Sequence, residues 1–125
     1  MKRDMELVRK ILIELEKMDY TGGYNDITGV LTDYQERDIH YHVMLLHEGG
    51  LIQALKTQDI GKGLTLWRPI CLTWQGHEFL DLSRNDSVWS KAVDKVKDTT
   101  GSVPLEVWKE LLKQYVKDLI LPGSG

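Results

Sequence analysis

The strongest constraint in the sequence is a pair of local signals that lie 23 residues apart, at Gly50 and Thr73. The first, Gly49-Gly50-Leu51-Ile52, ends a stretch of helical spacing and begins an apolar strand pattern. The second, Leu72-Thr73-Trp74-Gln75-Gly76, ends a strand pattern and begins another helix. Glycine permits the left-handed residue that closes a helix, and threonine caps the next one. The segment between the signals is therefore predicted to be a hairpin with a helix at each end.

Two strand patterns fill this hairpin, over residues 51–57 and 64–72, around a glycine-rich loop at residues 58–63. Pro69 cannot donate a ladder hydrogen bond, so it marks an edge or a bulge. Gly76, without a side chain, is expected to let the following helix approach the sheet closely.

A helix is predicted over residues 4–18, where apolar residues recur at helical spacing and Asp4 is a good N-cap. The connection that follows is rich in glycine, asparagine and threonine, which break helices. Within it, residues 27–31 are expected to form a short strand.

The next helix is predicted over residues 34–48, with Asp33 as its cap and Glu36 reaching back in a capping box. Gly49 is expected to supply the left-handed stop. The helix has two apolar faces, because residues Ile39, Val43 and Leu46 share one side and a second group lies roughly opposite. That second group comprises Tyr34, Arg37, Tyr41, Met44, Leu45 and Glu48.

Three further helices are predicted towards the C-terminus. Thr73 caps a helix to about Leu82, Val88 opens the pattern of a second, and Pro104 lies in the first turn of the last. Trp89 and Trp108 fall on the core faces of the last two helices.

This order of elements resembles a winged helix, in which a helix ending in glycine leads into a two-stranded wing and a Leu-Thr-x-x-Gly turn starts the next helix. The predicted fold class is therefore α+β: a winged-helix-like domain with a two- or three-stranded wing and additional C-terminal helices at about residues 86–121. We expect a single domain over residues 1–121 and a flexible tail over residues 122–125.

Longer stretches of the sequence also carry a family resemblance. They are Met1-Lys2-Arg3-Asp4-Met5-Glu6-Leu7-Val8-Arg9-Lys10-Ile11-Leu12, Gly50-Leu51-Ile52, Leu72-Thr73-Trp74-Gln75-Gly76-His77-Glu78-Phe79-Leu80-Asp81 and Trp89. Over about residues 1–120 the chain resembles a family of uncharacterised bacterial and phage-borne proteins. The resemblance implies a winged-helix-like domain and a prophage origin, and it carries over no functional residues.

The charge distribution counts against strong binding to nucleic acid. The net charge is −3, and residues 20–85 carry five basic against eight acidic side chains. Proteins that bind nucleic acid usually carry a basic patch that contacts phosphates. Cys71 is the single cysteine, so an internal disulfide is excluded and a cytoplasmic location is predicted. No apolar run is long enough for a membrane span or a signal peptide.

No catalytic motif is present, and we expect neither enzymatic activity, nor a cofactor, nor a metal. The sequence contains no phosphate-binding glycine loop, nucleophile elbow or HExxH segment. On a helix His40 and His42 point about 160° apart, whereas His40 and His47 are two turns apart, too far to share one metal ion. Cys71 is expected to pack as a small apolar residue.

Two functions are compatible with these features. The first is a regulatory, transcription-associated module that binds DNA through the helix before the wing, with a homodimer through the C-terminal helices doubling its cations. The second is an adaptor or inhibitor, phage-encoded, that binds a host protein. Fold analogy favours the first and charge favours the second, and on balance the sequence predicts the first, with protein binding as the alternative. Either way, the predicted contact residues are Tyr34, Arg37, His40, Tyr41, Met44, Leu45, Lys56, Lys62, Trp67 and Arg68.

Overall fold

A computed structural model of the chain describes residues 1–59, 61, 63–121 and 123. Over these residues the fold is α+β, with five helices and one two-stranded antiparallel hairpin. The elements are α1 (Met5–Glu16), α2 (Glu36–Glu48), β1 (Ile52–Asp59), β2 (Leu64–Leu72), α3 (Trp74–Ser83), α4 (Asp86–Thr99) and α5 (Leu105–Ile120). The predicted class and the order of helices and hairpin are confirmed.

The chain divides into two compact units, residues 1–77 and 78–125. The first contains α1, α2 and the hairpin, and the second contains α4 and α5. No helix in the described residues is both long enough and apolar enough to cross a membrane. Of the predicted flexible tail, all but Gly123 lies outside the described residues.

Helix α1 begins as the sequence predicts. The Asp4 carboxylate accepts hydrogen bonds from the backbone N–H groups of Glu6 and Leu7, at 2.9 and 3.2 Å. These N–H groups have no partner within the helix, so the cap stabilises its first turn. The helix buries a continuous apolar stripe: Leu7, Val8, Ile11, Leu12 and Leu15.

The predicted strand at residues 27–31 is wrong, because this segment is a turn. The Leu31 N–H donates to the Ile27 carbonyl at 3.0 Å. The turn is started by Asp26, whose carboxylate accepts from both the N–H and the hydroxyl of Thr28. Such a local side-chain bond competes with strand pairing. Ile27 and Leu31 are still buried, so the turn anchors the connection in the core.

Helix α2 begins two residues later than predicted and ends at Glu48 as predicted, but its left-handed residue lies one position later. Asp33 is not the N-cap of α2, because it lies in the turn that precedes the helix. The N-cap residue is Gln35, whose side chain makes no capping hydrogen bond. The backbone of Gly49 is in the right-handed helical region, at φ −76°. The left-handed residue is Gly50 at φ +78°, and the next N–H, of Leu51, reaches back to the carbonyl of Leu46.

The hairpin pairs β1 with β2 in a register that shifts once. Gln53 lies opposite Cys71 and Ala54 lies opposite Pro69, which leaves Ile70 as an extra residue. The prediction that Pro69 marks a bulge is therefore confirmed. A bulge bends the strand that contains it.

The base of the hairpin is joined to α3 by a short network, called here the junction and made of Gly50, Leu51, Thr73 and Gly76. The Thr73 N–H donates to the Leu51 carbonyl at 3.0 Å, and its hydroxyl donates to the Gly50 carbonyl at 2.5 Å. The same hydroxyl oxygen accepts from the Gly76 N–H at 3.1 Å, which confirms the predicted cap. A Cβ atom on Gly76 would overlap the Leu51 carbonyl oxygen, so the predicted close approach is also confirmed.

In the second unit, α4 and α5 pack through stacked tryptophans. The rings of Trp89 and Trp108 are 5.1 Å apart at an interplanar angle of 20°. Both are buried, as are Ala92 and Leu112 in the same helices, which confirms the predicted core faces. Pro104 is the N-cap of α5, so it lies one residue before the first turn rather than within it as predicted.

The junction predicts a large effect for Gly76→Ala. The added methyl group would collide with backbone, which cannot move without opening the base of the hairpin. We expect a loss of roughly 1–3 kcal/mol or more in the free energy of unfolding, measured by urea denaturation of the full chain. Gly29→Ala is the matched control, because a Cβ there meets no atom within 4 Å. Equal losses in the two variants would show that the junction is not tightly packed.

Candidate binding surface

All ten predicted contact residues belong to the first unit, on the connection before α2, on α2 itself or on the hairpin. Lys62 lies outside the described residues. The other nine define the candidate surface, whose centre is Trp67 of β2.

Trp67 is half-buried and joins α2 to the hairpin. Its ring lies 5.5 Å from the ring of His47, on the last turn of α2. The ammonium of Lys56, directly opposite on β1, lies 5.9 Å from the same ring. A cation over an indole face is attracted by the ring's quadrupole. Trp67 is therefore held in place by the protein itself, with part of its ring left accessible.

His40 also meets Trp67, through the backbone. Its Nδ1 atom lies 3.0 Å from the Trp67 carbonyl oxygen and 3.3 Å from the Trp67 nitrogen. Nδ1 donates to the carbonyl in one tautomer and accepts from the N–H in the other. In either tautomer the imidazole covers this part of the β2 edge, so Nδ1 is unavailable to a partner.

Arg68 packs against the connection between α1 and α2. Its guanidinium lies 5.1 Å from the ring of Tyr24. The next residue, Asn25, bonds the β2 edge twice: its N–H donates to the Pro69 carbonyl at 2.7 Å and its side-chain amide donates to the Ile70 carbonyl at 3.0 Å. The connection therefore holds β2 from its outer side.

The outward residues of α2 are unevenly accessible. Arg37 is exposed and its guanidinium lies 3.5 Å from the carboxylate of Asp38. Tyr41, Met44 and Leu45 are half-buried rather than open to solvent.

His42 is the buried polar residue on which α1 and α2 converge, at 2% exposure. Its Nδ1 donates to the Asp38 carbonyl at 2.8 Å, and its Nε2 accepts from the Asp4 N–H at 2.8 Å. A carbonyl can only accept and an N–H can only donate, so one neutral tautomer satisfies both bonds. A cavity of about 240 Å³ adjoins this ring, lined by Met1, Lys2, Asp4, Leu7, Tyr34, Asp38 and His42.

Tyr34, on the wall of this cavity, is partly covered by a cation. The Lys10 ammonium lies 5.3 Å from the centre of its ring. Tyr34 is therefore grouped with α1 and the cavity.

Charge is divided between the two parts of the surface. Helix α2 carries three carboxylates, Glu36, Asp38 and Glu48, against Arg37 alone. The segment 52–72 has the opposite balance, with Lys56, Lys62 and Arg68 against Asp59. The helix is net acidic and the hairpin is net basic.

Asp26, in the turn before α2, has a pKa below its ordinary value. The Thr28 hydroxyl, followed by the Thr28 N–H, stabilises the carboxylate and lowers the pKa of Asp26, against a small opposing effect of burial. Arg68 and His40 lower this pKa further through their charges. The turn before α2 is thus electrostatically linked to the hairpin.

Sequence reasoning missed the apolar residues that the first unit exposes. Leu55 and Leu64 are 44% and 53% exposed, and Trp74, the first residue of α3, is 77% exposed. Strand alternation supplies a signal for the leucines. Asp59 lies opposite Leu64, and Leu55 lies four residues before Asp59 on the same face, so the two leucines lie on one face of the hairpin. For Trp74 the signal is its place directly after the Thr73 cap.

Residues with metal-binding or nucleophilic chemistry are dispersed. No group of three histidine, cysteine, aspartate or glutamate side chains suited to a metal ion occurs among the described residues. Cys71 is half-buried, and its sulfur lies 3.7 Å from the side-chain oxygen of Gln53. His77 and Glu78 are both exposed.

Comparison with known proteins identifies the family. Residues 2–102 match a family described as a hypothetical protein (DUF2513). The chain belongs to the DUF2513 family. An uncharacterised protein of Haemophilus influenzae is 31% identical over 120 residues, which cover 96% of this chain and 99% of that protein. No solved structure matches the chain. The predicted membership of an uncharacterised bacterial family is confirmed.

The DUF2513 match includes α1 to α4 and ends before α5. The candidate surface, the junction and the buried His42 therefore all lie inside the region that matches the family.

His42 predicts a stability effect that volume alone does not explain. His42→Phe keeps the ring's bulk but removes the acceptor for the Asp4 N–H and the donor to Asp38. We expect a loss of about 1–3 kcal/mol in the free energy of unfolding, because buried polar groups are left unpaired. His77→Phe serves as the control, since His77 is exposed and changes there stay within about 0.5 kcal/mol. A neutral His42→Phe would contradict the hydrogen-bonded role.

Asp26 predicts a pH dependence of defined sign. Its pKa in the folded chain lies below the ordinary 3.8, so the carboxylate stabilises the fold above that pH. This contribution is lost as the pH falls through the lowered pKa. NMR titration of the Asp26 carboxyl carbon should give a midpoint below 3.8, and Thr28→Val, which removes the hydroxyl, should raise it. An unchanged midpoint in Thr28→Val would rule out the hydroxyl as the main cause.

Proposed function

We propose that this DUF2513 chain is a non-catalytic, winged-helix-like binding module that recognises a partner protein through its hairpin and α2. The observation that carries the proposal is the exposed apolar side of the hairpin, with Leu55 and Leu64 about half accessible. Trp67, on the same hairpin, is half-buried and held by its neighbours. Apolar and aromatic residues of this kind form the cores of protein interfaces.

The chemistry of α2 favours a protein partner over DNA. A recognition helix reads bases from its N-terminal part. Here that part carries Glu36 and Asp38, whose carboxylates repel phosphates. His40, a predicted base-reading residue, has its Nδ1 engaged by the Trp67 backbone.

The winged-helix-like arrangement is part of the proposal. It is supported by α2 ending at a left-handed glycine, the hairpin that follows directly, and α3 starting from the Thr73 cap. One feature departs from the usual pattern: α1 and α2 are joined by residues 17–35, whereas a helix-turn-helix pair has a turn of three or four residues. The lone cysteine fits a cytoplasmic setting. In that setting we propose that the chain acts as a phage-encoded adaptor or inhibitor whose target is a host protein.

Nucleic-acid binding is the second candidate, as a regulatory, transcription-associated module. The basic balance of segment 52–72 favours it, because the wing of a winged helix touches the DNA backbone. Lys56 is exposed and in reach of a phosphate. A homodimer through α4 and α5 would double these cations, and exposed Leu119 and Ile120 at the end of α5 provide apolar surface for it.

Paired binding experiments separate the two candidates. We expect no retention of the chain on duplex DNA at low salt, together with recovery of a defined protein from host lysate. Leu55→Ser with Leu64→Ser should abolish that recovery while leaving the fold intact. Val30→Ser is the matched control, because Val30 is similarly exposed at 51% but lies in the connection.

The opposite result would support the second candidate. Retention on DNA that falls steeply as salt rises, unaffected by the paired serine changes, would overturn protein recognition.

A further inference from the structure

We infer that the outer edge of β1 binds an acidic, extended peptide segment as a third strand of the hairpin. The inference rests on the proposed recognition of a protein and names the chemistry of the segment recognised. It is carried by the direction of the backbone hydrogen-bonding groups, by the difference between the two hairpin edges, and by the side chains on each face.

The pairing fixes which backbone groups point outward. Trp67 lies opposite Lys56, and both the N–H and the carbonyl of Trp67 face His40, away from β1. In an antiparallel pair, opposite residues either exchange both hydrogen bonds or point both groups outward. The N–H and carbonyl of Lys56 therefore point away from β2. Gln58, two residues further along β1 and opposite Thr65, also has its N–H and carbonyl pointing away from β2.

The two edges of the hairpin are not equivalent. On β2 the outward backbone groups of Trp67 are covered by His40, and those of Pro69 and Ile70 by Asn25, which leaves Thr65 near the loop uncovered by any described residue. On β1, within the described parts of the chain, the backbone groups of Lys56 and Gln58 have no hydrogen-bond partner outside the hairpin. Both residues are exposed. An open strand edge is a template for an added strand.

The side chains beside this edge specify what the added strand must carry. On β1, Leu55 and Thr57 lie on one face by strand alternation, and Lys56 and Gln58 lie on the other. Cross-strand neighbours of opposite charge stabilise a sheet, and like charges destabilise it. An added strand therefore pairs best when apolar or β-branched residues meet Leu55 and Thr57 and acidic residues meet Lys56.

A second copy of this chain is a poorer occupant. Antiparallel pairing of two β1 strands centred on Lys56 places one lysine directly opposite the other, which is unfavourable. The net basic segment 52–72 adds repulsion between two hairpins. An acidic segment has neither disadvantage.

The test uses the full chain and a capped synthetic peptide, Thr-Glu-Val-Glu-Val-Glu-Thr, in which acidic and apolar or β-branched residues alternate. Binding is followed by amide NMR shifts and by hydrogen exchange. At saturation we expect exchange at the Lys56 and Gln58 amides to slow by roughly tenfold or more, because they become hydrogen-bonded. A peptide of the same composition with its glutamates adjacent, and one with lysine in place of glutamate, should bind more weakly.

Three variants separate the contributions of backbone and charge. Gln58→Pro removes one outward N–H donor and should therefore weaken binding several-fold. The variant is expected to fold, because proline is tolerated at a strand edge. Thr65→Pro is the matched control, because Thr65 has the equivalent place on β2, and it should bind as the unaltered chain does. Lys56→Glu should reverse the preference towards the lysine peptide. Amide spectra of each variant without peptide verify that it is folded.

Three kinds of outcome overturn the inference, and a fourth overturns only the proposed function. Equal binding by the proline variants, or shifts confined to α2, would place the contact elsewhere. Slowed exchange at Lys56 without peptide, accompanied by dimer in sedimentation, would identify a second copy as the occupant. If lysate capture still requires Leu55 and Leu64 but survives Gln58→Pro, the proposed function stands and the added strand does not. If capture fails and only the peptide binds, the proposed function falls alone.

Discussion

The first unit depends on the contact between Gly76 and the Leu51 carbonyl. This contact leaves no space for a side chain, so α3 starts at a fixed distance from the end of α2. Thr73 then satisfies three polar groups at once through its N–H and hydroxyl. Because these bonds join the hairpin base to the first turn of α3, they couple the formation of the two elements. The position of both strands relative to α2 follows from this arrangement.

Two histidines of α2 have structural roles that also shape the binding surface. His42 connects the helix to the N-cap of α1, and His40 connects it to the edge of β2. The helix, the hairpin and the start of α1 are thereby linked by directional bonds as well as by apolar packing. Directional bonds favour one arrangement of the elements over alternatives with similar burial. A preorganised surface lowers the entropic cost of binding, which supports a binding role for this unit.

Much of the fold was predictable because its signals are local. The Asp4 cap, the Thr73 cap, the glycine-rich turn and the helical stripes are each set by residues within one or two turns of each other. The strand predicted at residues 27–31 was wrong because the Asp26 carboxylate accepts hydrogen bonds from Thr28 and forms a turn. Strand propensity alone does not take such a local hydrogen bond into account. The site was less predictable. The engagement of His40 with Trp67 joins residues 27 positions apart, and periodicity carries no information about such pairs.

The covering of β2 by His40 and Asn25 has a consequence for self-association. Growth of a cross-β assembly requires two accessible edges, so that each added unit offers a new one. With the β2 backbone groups at Trp67, Pro69 and Ile70 covered, a strand added to β1 leaves little of the opposite edge for a further unit. The hairpin thus offers one edge for pairing while most of the other is protected, and we expect a substitution that removes the His40 ring to enlarge the open part of the second edge.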